Sequence, residues 1–323
     1  MTWRRLLGDG AILALLALAS LYWLLWAEPG PAKGPHRLVV EEGTSLYRLS
    51  RDLARQGLVP GTARSYRIMA RIFGSSDPIQ AGEFAIPAGA SGATVLDILQ
   101  HGRPIVHLLT IPEGMPSILV YEKLMATPGL TGVISPPPEG AILPDSYAYQ
   151  LGESRGALLE RMEHAMNREL NRLWPKRTPR SVVSSKAEAV ILASIVEKET
   201  GKPAERTMVA GVYSNRLRMG MKLDADPTVI YPVTHGKPLG RRILRSELEA
   251  NNGYNTYVKA GLPVGPIANP GRDAIAAVLT PAATDALYFV ADGTGGHLFA
   301  STLAQHEANR QRWYAIRRAR GEM

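Results

Sequence analysis

The chain has 323 residues, 45% of them apolar and 20% charged. That length suggests about two domains and a core that needs no cross-links. There is no cysteine, which excludes disulfide frameworks, zinc ribbons, thiol nucleophiles and cysteine-held iron–sulfur clusters. A net charge of +8 favours polyanionic partners in general. The basic residues are scattered, however, and the one cluster (Arg310, Arg312, Arg317, Arg318 and Arg320) reads as the solvated face of a terminal helix.

The first element is a span. Residues Ala11–Ala27 carry no charge, and with the residues before them they approach the roughly 20 needed to cross a bilayer. Arg4 and Arg5 precede the run, whereas Glu28 follows it with no basic residue before Lys33. The excess of basic residues on the N-terminal side predicts a cytoplasmic N-terminus and an extracytoplasmic remainder. Tyr22, Trp23 and Trp26 gather at the outer end, as interfacial aromatics do. A cleaved signal peptide is the rival reading; the run is long for one, and bulky Trp26 spoils a small-x-small cleavage site. A buried core helix is the third, and the Pro/Gly-rich linker from Glu28 onward argues against it. An extracytoplasmic working part disfavours nucleic-acid binding and ATP chemistry.

Beyond the linker, Leu38–Val40 predicts a strand, and Leu46, Leu49, Leu53 and Ala54 a helix capped at Thr44 or Ser45. Tyr66, Met69, Ala70 and Phe73 line a second helix. A strand over 79–86 and a short helix through Val95, Ile98 and Leu99 complete a small α+β module. The pattern restarts with a strand over 106–111 and a helix through Leu124, and residues 126–141 form a Pro/Gly-rich loop. Strong helices follow over 156–173, 186–200 and 208–217. Val229–Tyr231 and Leu287–Ala291 read as strands, and a last helix runs from Thr302 to about Arg318. The chain divides into a tail (1–9), an anchor (10–27), a linker (28–36), a module (37–103) and a main domain (104–323).

The chemistry points to the end of the 186–200 helix. The sequence carries no nucleophile elbow, zinc-binding H-E-x-x-H, Walker loop or S-x-x-K. Asp224 and Asp226 are a weak case for a metal, so neither a metal nor a cofactor is expected. Glu197 and Glu199 end an apolar helix, and two positions apart they point in different directions. Leu192, Ile195, Val196 and Glu199 share one face, so Glu199 extends the apolar stripe. Glu197 extends a less apolar row, through Ala193 and Ser194. A carboxyl against apolar walls and near a helix C-terminus is held protonated and can act as a general acid. An ordinary surface helix end carrying two acids fits the same spacing. Downstream, Asp226–Tyr231, Asn252–Tyr257 and Gly261–Gly271 combine Tyr, Asn and Thr in rigid loops, a mixture suited to sugars. Ordinary structured turns fit those segments too.

These residues fall in ordered blocks: Gln80-Ala-Gly-Glu-Phe, Ile111-Pro-Glu-Gly-Met, Leu143-Pro-Asp-Ser-Tyr, Ala193-Ser-Ile-Val-Glu-Lys-Glu-Thr, Val212-Tyr-Ser-Asn-Arg, Leu223-Asp-Ala-Asp-Pro-Thr, Tyr254-Asn-Thr-Tyr, Pro266-Ile-Ala-Asn-Pro-Gly and Tyr288-Phe-Val-Ala-Asp-Gly. On them the chain, over about 37–310, resembles the endolytic murein transglycosylase (YceG-like) family. Val264 and Ser146 depart from the family's usual Pro and Thr. The resemblance implies a LysM-like α+β module, then a lysozyme-like, mostly helical catalytic domain with added strands. It implies cleavage of the β-1,4 MurNAc–GlcNAc bond within nascent peptidoglycan strands, with Glu199 as catalytic acid and Glu197 as the secondary candidate. Asp226, Thr228, Tyr231, Tyr254, Asn255, Asn269 and His297 are the candidates for holding the glycan. No second carboxylate is expected beside Glu199. The implied setting is the bacterial cytoplasmic (inner) membrane, with the catalytic domain periplasmic and peptidoglycan synthases as partners. A tethered, non-catalytic wall-binding module and a hydrolytic muramidase are the alternatives.

Overall fold

The computed structural model describes residues 3–322. Met1, Thr2 and Met323 lie outside the described residues, as do the side chains of Arg4 and Arg5, on which the expected orientation rests. The chain divides into two compact units. It is mixed α and β: many helices and three two-stranded sheets among the described residues.

The first unit holds residues up to Leu108 together with Pro128–Thr131 and Ala148–Glu153. It begins with α1 (Trp3–Tyr22), which passes into a π-helical stretch, Trp23–Ala27. Strand β1 (His36–Val40) pairs antiparallel with β2 (Gly82–Ile86), from His36 opposite Ile86 to Val40 opposite Gly82. Between them lie α2 (Leu46–Arg55) and α3 (Ala63–Phe73), and α4 (Gly92–His101) follows β2. Ser45, Thr62 and Ser91 cap the three helices, each accepting a backbone N–H three residues on, which satisfies donors the helix itself cannot. The apolar faces meet in one core of Leu38, Leu49, Leu53, Tyr66, Phe84, Val95 and Leu99, and Trp26 is part of it.

The second unit contains Leu109–Thr127, Gly132–Tyr147 and Ser154 onward. Of the small sheet formed by β3 (His107–Thr110) and β4 (Ser146–Tyr149), this unit holds Leu109–Thr110 and Ser146–Tyr147, and α5 is Ser117–Ala126. Then come α6 (Arg155–Leu173), α7 (Lys186–Glu199), α8 (Arg206–Arg218), α9 (Asp226–Thr234), α10 (Arg245–Leu248) and α11 (Arg272–Leu279). The hairpin β5 (Tyr288–Ala291) and β6 (His297–Ala300) precedes α12 (Leu303–Ala319). Helix α7 is the centre: Leu192, Ala193, Ile195 and Val196 are fully buried, packed with Val209, Ala210 and Tyr213 of α8 and Ile275 and Val278 of α11.

Two differences from the sequence reading matter for the site. Val229–Tyr231, read as a strand from its β-branched run, lies inside α9. Pro227 at the first helical turn presets the helical φ, and burial of Val229 lets packing override propensity. Helix α11 was not anticipated; its short apolar pattern stands directly behind the Asn269-Pro-Gly271 turn, which reads as loop.

Candidate active site

The last residue of α7 is Glu199. Its residue as a whole is only partly shielded, yet its Oε1 is sealed from solvent with no hydrogen-bond partner. The Tyr213 hydroxyl, from α8, is close enough to the carboxylate to favour its charged form. Burial, reinforced by the charge of Asp226, pushes the Glu199 pKa up to about 7, against the opposing pull of Tyr213 and Arg216. Burial likewise lifts the Tyr213 hydroxyl well above its ordinary value, so it stays a donor.

Glu199 opens onto a cleft of about 670 Å³. Asp224, Asp226 and Tyr257 line it, and Tyr288, Phe289 and Val290 come from β5. Helix α12 contributes Leu303, His306, Arg310, Trp313 and Tyr314. The Tyr257 hydroxyl donates to Asp226 Oδ1 at 2.6 Å. Arg216 is spread over several acceptors: Leu287 O at 2.7 Å, Leu223 O at 2.9 Å and Asp224 Oδ2 at 3.1 Å. Asp224 adopts a left-handed backbone, φ 51, a strained conformation that Asp tolerates better than most residues. The expectation of an isolated acid is corrected here: two more carboxylates share the cleft, and Asp226 is close enough to influence Glu199.

Glu197 has different surroundings. Its side chain is 5% exposed. It accepts from Arg206 Nη2 at 3.1 Å and from the Gly271 backbone N–H at 2.9 Å. Arg206 also binds Glu113 at 2.8 Å and Asp273 at 3.3 Å. Burial raises the Glu197 pKa while Gly271 and Arg206 oppose it. Neither acid is the surface carboxylate that the spacing alone allowed.

Of the residues expected to hold a glycan, Asp226 lines the cleft. Thr228 is buried, its hydroxyl bonded to Ala225 O at 2.7 Å and to Thr256. Buried Asn255 donates to Glu247 O, Leu248 O and Ala250 O. Buried Asn269 joins Ile142, Met115, Ser117 and Glu139. The rings of Tyr231 and Tyr254 pack together at 4.9 Å, and Tyr231 borders a separate pocket with Lys198 and Ile230. His297 bonds Glu205 at 2.7 Å and stands edge-on to Phe289. Tyr213, Arg216, Tyr257 and the α12 residues were missed. The first three lie inside the quoted blocks; those of α12 recur three and four residues apart, a signal obscured by the charges around them. Among the described residues no group of three or more His, Asp or Glu could hold a metal ion.

A carboxyl with a pKa near neutrality, at the end of a buried helix and lining an aromatic cleft, is able to give up and take back a proton there. The chain belongs to the YceG-like family, whose profile matches residues 38–312. It is 34% identical over 183 residues to an endolytic murein transglycosylase of Bacillus subtilis, covering 56% of this chain and 49% of that protein. It is 26% identical over 319 residues to one of Streptococcus pneumoniae, covering 84% of this chain and 57% of that protein. The chain thus spans about half the length of these relatives. In fold it is similar to the crystal structure of a yceG-like protein from Listeria monocytogenes, with a TM-score of 0.50 at 24% identity, covering 86% of this chain and 99% of that one.

Proposed function

We propose that the chain is an endolytic lytic transglycosylase that cuts the β-1,4 MurNAc–GlcNAc bond within nascent peptidoglycan strands. The observation that carries this is the Glu199 carboxyl: unpartnered at Oε1, poised near pH 7 and opening on an aromatic cleft. The names of the two relatives support it. Protonated Glu199 gives its proton to the glycosidic oxygen as the bond to C1 breaks. The oxocarbenium-like C1 is assisted by the N-acetyl group. The MurNAc C6 hydroxyl then attacks C1 and returns its proton to Glu199, so one residue serves as acid and then base. No water is consumed, and the product ends in 1,6-anhydro-MurNAc. The attacking hydroxyl belongs to the same sugar, and this proximity removes much of the entropic barrier.

The wider assignment follows the same reading. Residues 37–103 form a LysM-like module and residues 104–323 a lysozyme-like catalytic domain. Residues 10–27 anchor the protein once in the inner membrane, with the catalytic domain outside, where peptidoglycan synthases supply its strands. Asp226 touches the glycan; His297 supports Phe289 in the cleft wall; Tyr231, Tyr254, Thr228, Asn255 and Asn269 shape the loops behind it.

Asp226 favours a second reading. A retaining muramidase needs a second carboxylate about 5–5.5 Å from the acid, and Asp226 shares the cleft. Its Oδ1 is occupied by Tyr257, which fits a positioning role better than a nucleophile. Mass analysis of fragments from uncrosslinked glycan decides the matter. The transglycosylase leaves ends lighter by one water that resist borohydride; reducible ends would establish the muramidase.

A further inference from the structure

Helix α12 is 17 residues long and has no fully buried residue, so it adds little to the core. What it adds is a cleft wall: His306, Arg310, Trp313 and Tyr314 all face the space in front of Glu199. Spacings of four, three and one put them on adjoining rows of one face. Arg310 donates to the Tyr314 hydroxyl at 2.8 Å and to both oxygens of Glu307 at 2.8 and 3.1 Å. These bonds leave donors over in its five-donor fork, and its side chain is 38% exposed. Glu307 is half exposed, and an exposed pair of this kind is readily exchanged for a better anion. His306 stacks on Tyr288 at 5.1 Å, and its buried Nδ1 has no partner. The acids of the cleft stand elsewhere, Asp224 paired with Arg216 and Asp226 with Tyr257.

The aromatic faces of this wall serve a sugar ring as well, but a guanidinium with spare donors is matched in charge and geometry to an anion rather than to a neutral hydroxyl. A carboxylate on an amide-linked branch is such an anion, and a guanidinium grips it through two parallel bonds. In murein that branch is the lactyl-linked peptide of MurNAc. We propose that Arg310, which lies over the Tyr314 ring in the cleft wall it shares with Trp313, is the subsite for a carboxylate of this stem peptide, so that the enzyme selects peptide-substituted sugars. The inference rests on the proposed glycan-cleaving function.

The test uses the full-length protein in detergent and two substrates: uncrosslinked peptide-substituted strands, and the same strands stripped of peptide by an amidase. Wild-type kcat/KM should be about tenfold higher on the substituted strands, the worth of one charge-assisted hydrogen bond. Arg310→Ala should pull that ratio toward one, chiefly through KM, and Arg310→Lys should restore part of it. Equal cleavage of both substrates by the wild type, or an undiminished ratio in Arg310→Ala, overturns the subsite and leaves the function standing. Cleavage of neither substrate overturns the function itself.

Discussion

Glu197 and Glu199 sit two positions apart and put the same functional group in different surroundings. Glu197 meets a guanidinium and a backbone N–H; Glu199 is buried beside the Tyr213 phenol. On the proposed mechanism Glu199→Gln lowers kcat by about 10²–10⁴-fold with the fold retained, and wild-type activity declines as pH rises past about 7. The same shift acts on stability. Between the ordinary 4.5 and about 7 the folded chain holds a proton that the unfolded chain has released. Stability therefore falls as pH rises through that window, and the loss is complete above it. Glu199→Gln, which cannot ionise, should gain on the wild type at pH 8 compared with pH 4, by at most about 3 kcal/mol, as read from denaturant midpoints. Glu197→Gln should instead lower stability by about 1–3 kcal/mol, since Arg206 is 10% exposed, with a far smaller effect on kcat. A larger loss of kcat at Glu197 than at Glu199 moves the acid to Glu197. The difference was half legible in the sequence. The row Leu192, Ile195, Val196, Glu199 is a matter of helical period, but Arg206 and Gly271 reach Glu197 only through tertiary packing.

At the scale of elements, the strongly periodic helices could be read directly, and the elements that build the cleft walls could not. Helices α2, α3, α6, α7 and α12 have long apolar rows or capping residues that leave one reading. Helix α9 has a β-branched run and an internal Pro232, so its state is set by neighbours. The hairpin strand β6 (His297–Ala300) and α11 are short and follow glycine-rich turns, where local signals are weakest. The loops around α7 are held by close approach. Gly140 has φ +75, and a Cβ there would stand 2.6 Å from Pro266 Cγ and 2.7 Å from Val190 Cγ1. Gly140→Ala should therefore lose at least about 1 kcal/mol, measured as a fall in melting temperature. An unchanged melting curve would mean that this loop is free to move away from α7.

At the scale of the whole molecule, the two ends of the N-terminal apolar helix have different surroundings. Along α1 the large side chains stay uncovered: Leu13 is 67% exposed, Leu15 66% and Leu18 63%. Asp9–Ala27 is long and apolar enough to cross a membrane, and little of it is buried. Its far end behaves differently. Trp26 is 3% exposed, its ring lies 5.7 Å from that of Tyr66, and it touches Gly92, where an added Cβ would stand 3.2 Å from the indole. Cleavage after Ala27 would remove Trp26 from the core of the first unit, a loss comparable to truncating a buried Trp, about 3–5 kcal/mol. The bulky residue that makes a poor cleavage site is thus also a core residue. On the proposed topology, protease added to spheroplasts should digest the protein down to a fragment shielded at α1. Intact-mass analysis of the membrane fraction should find the apolar run still attached. A mature N-terminus near residues 28–33 would contradict both points, and the first unit should then melt well below the full-length protein. Trp26→Ala in the full-length chain separates the two roles: the first unit should lose stability while the protein remains in the membrane fraction.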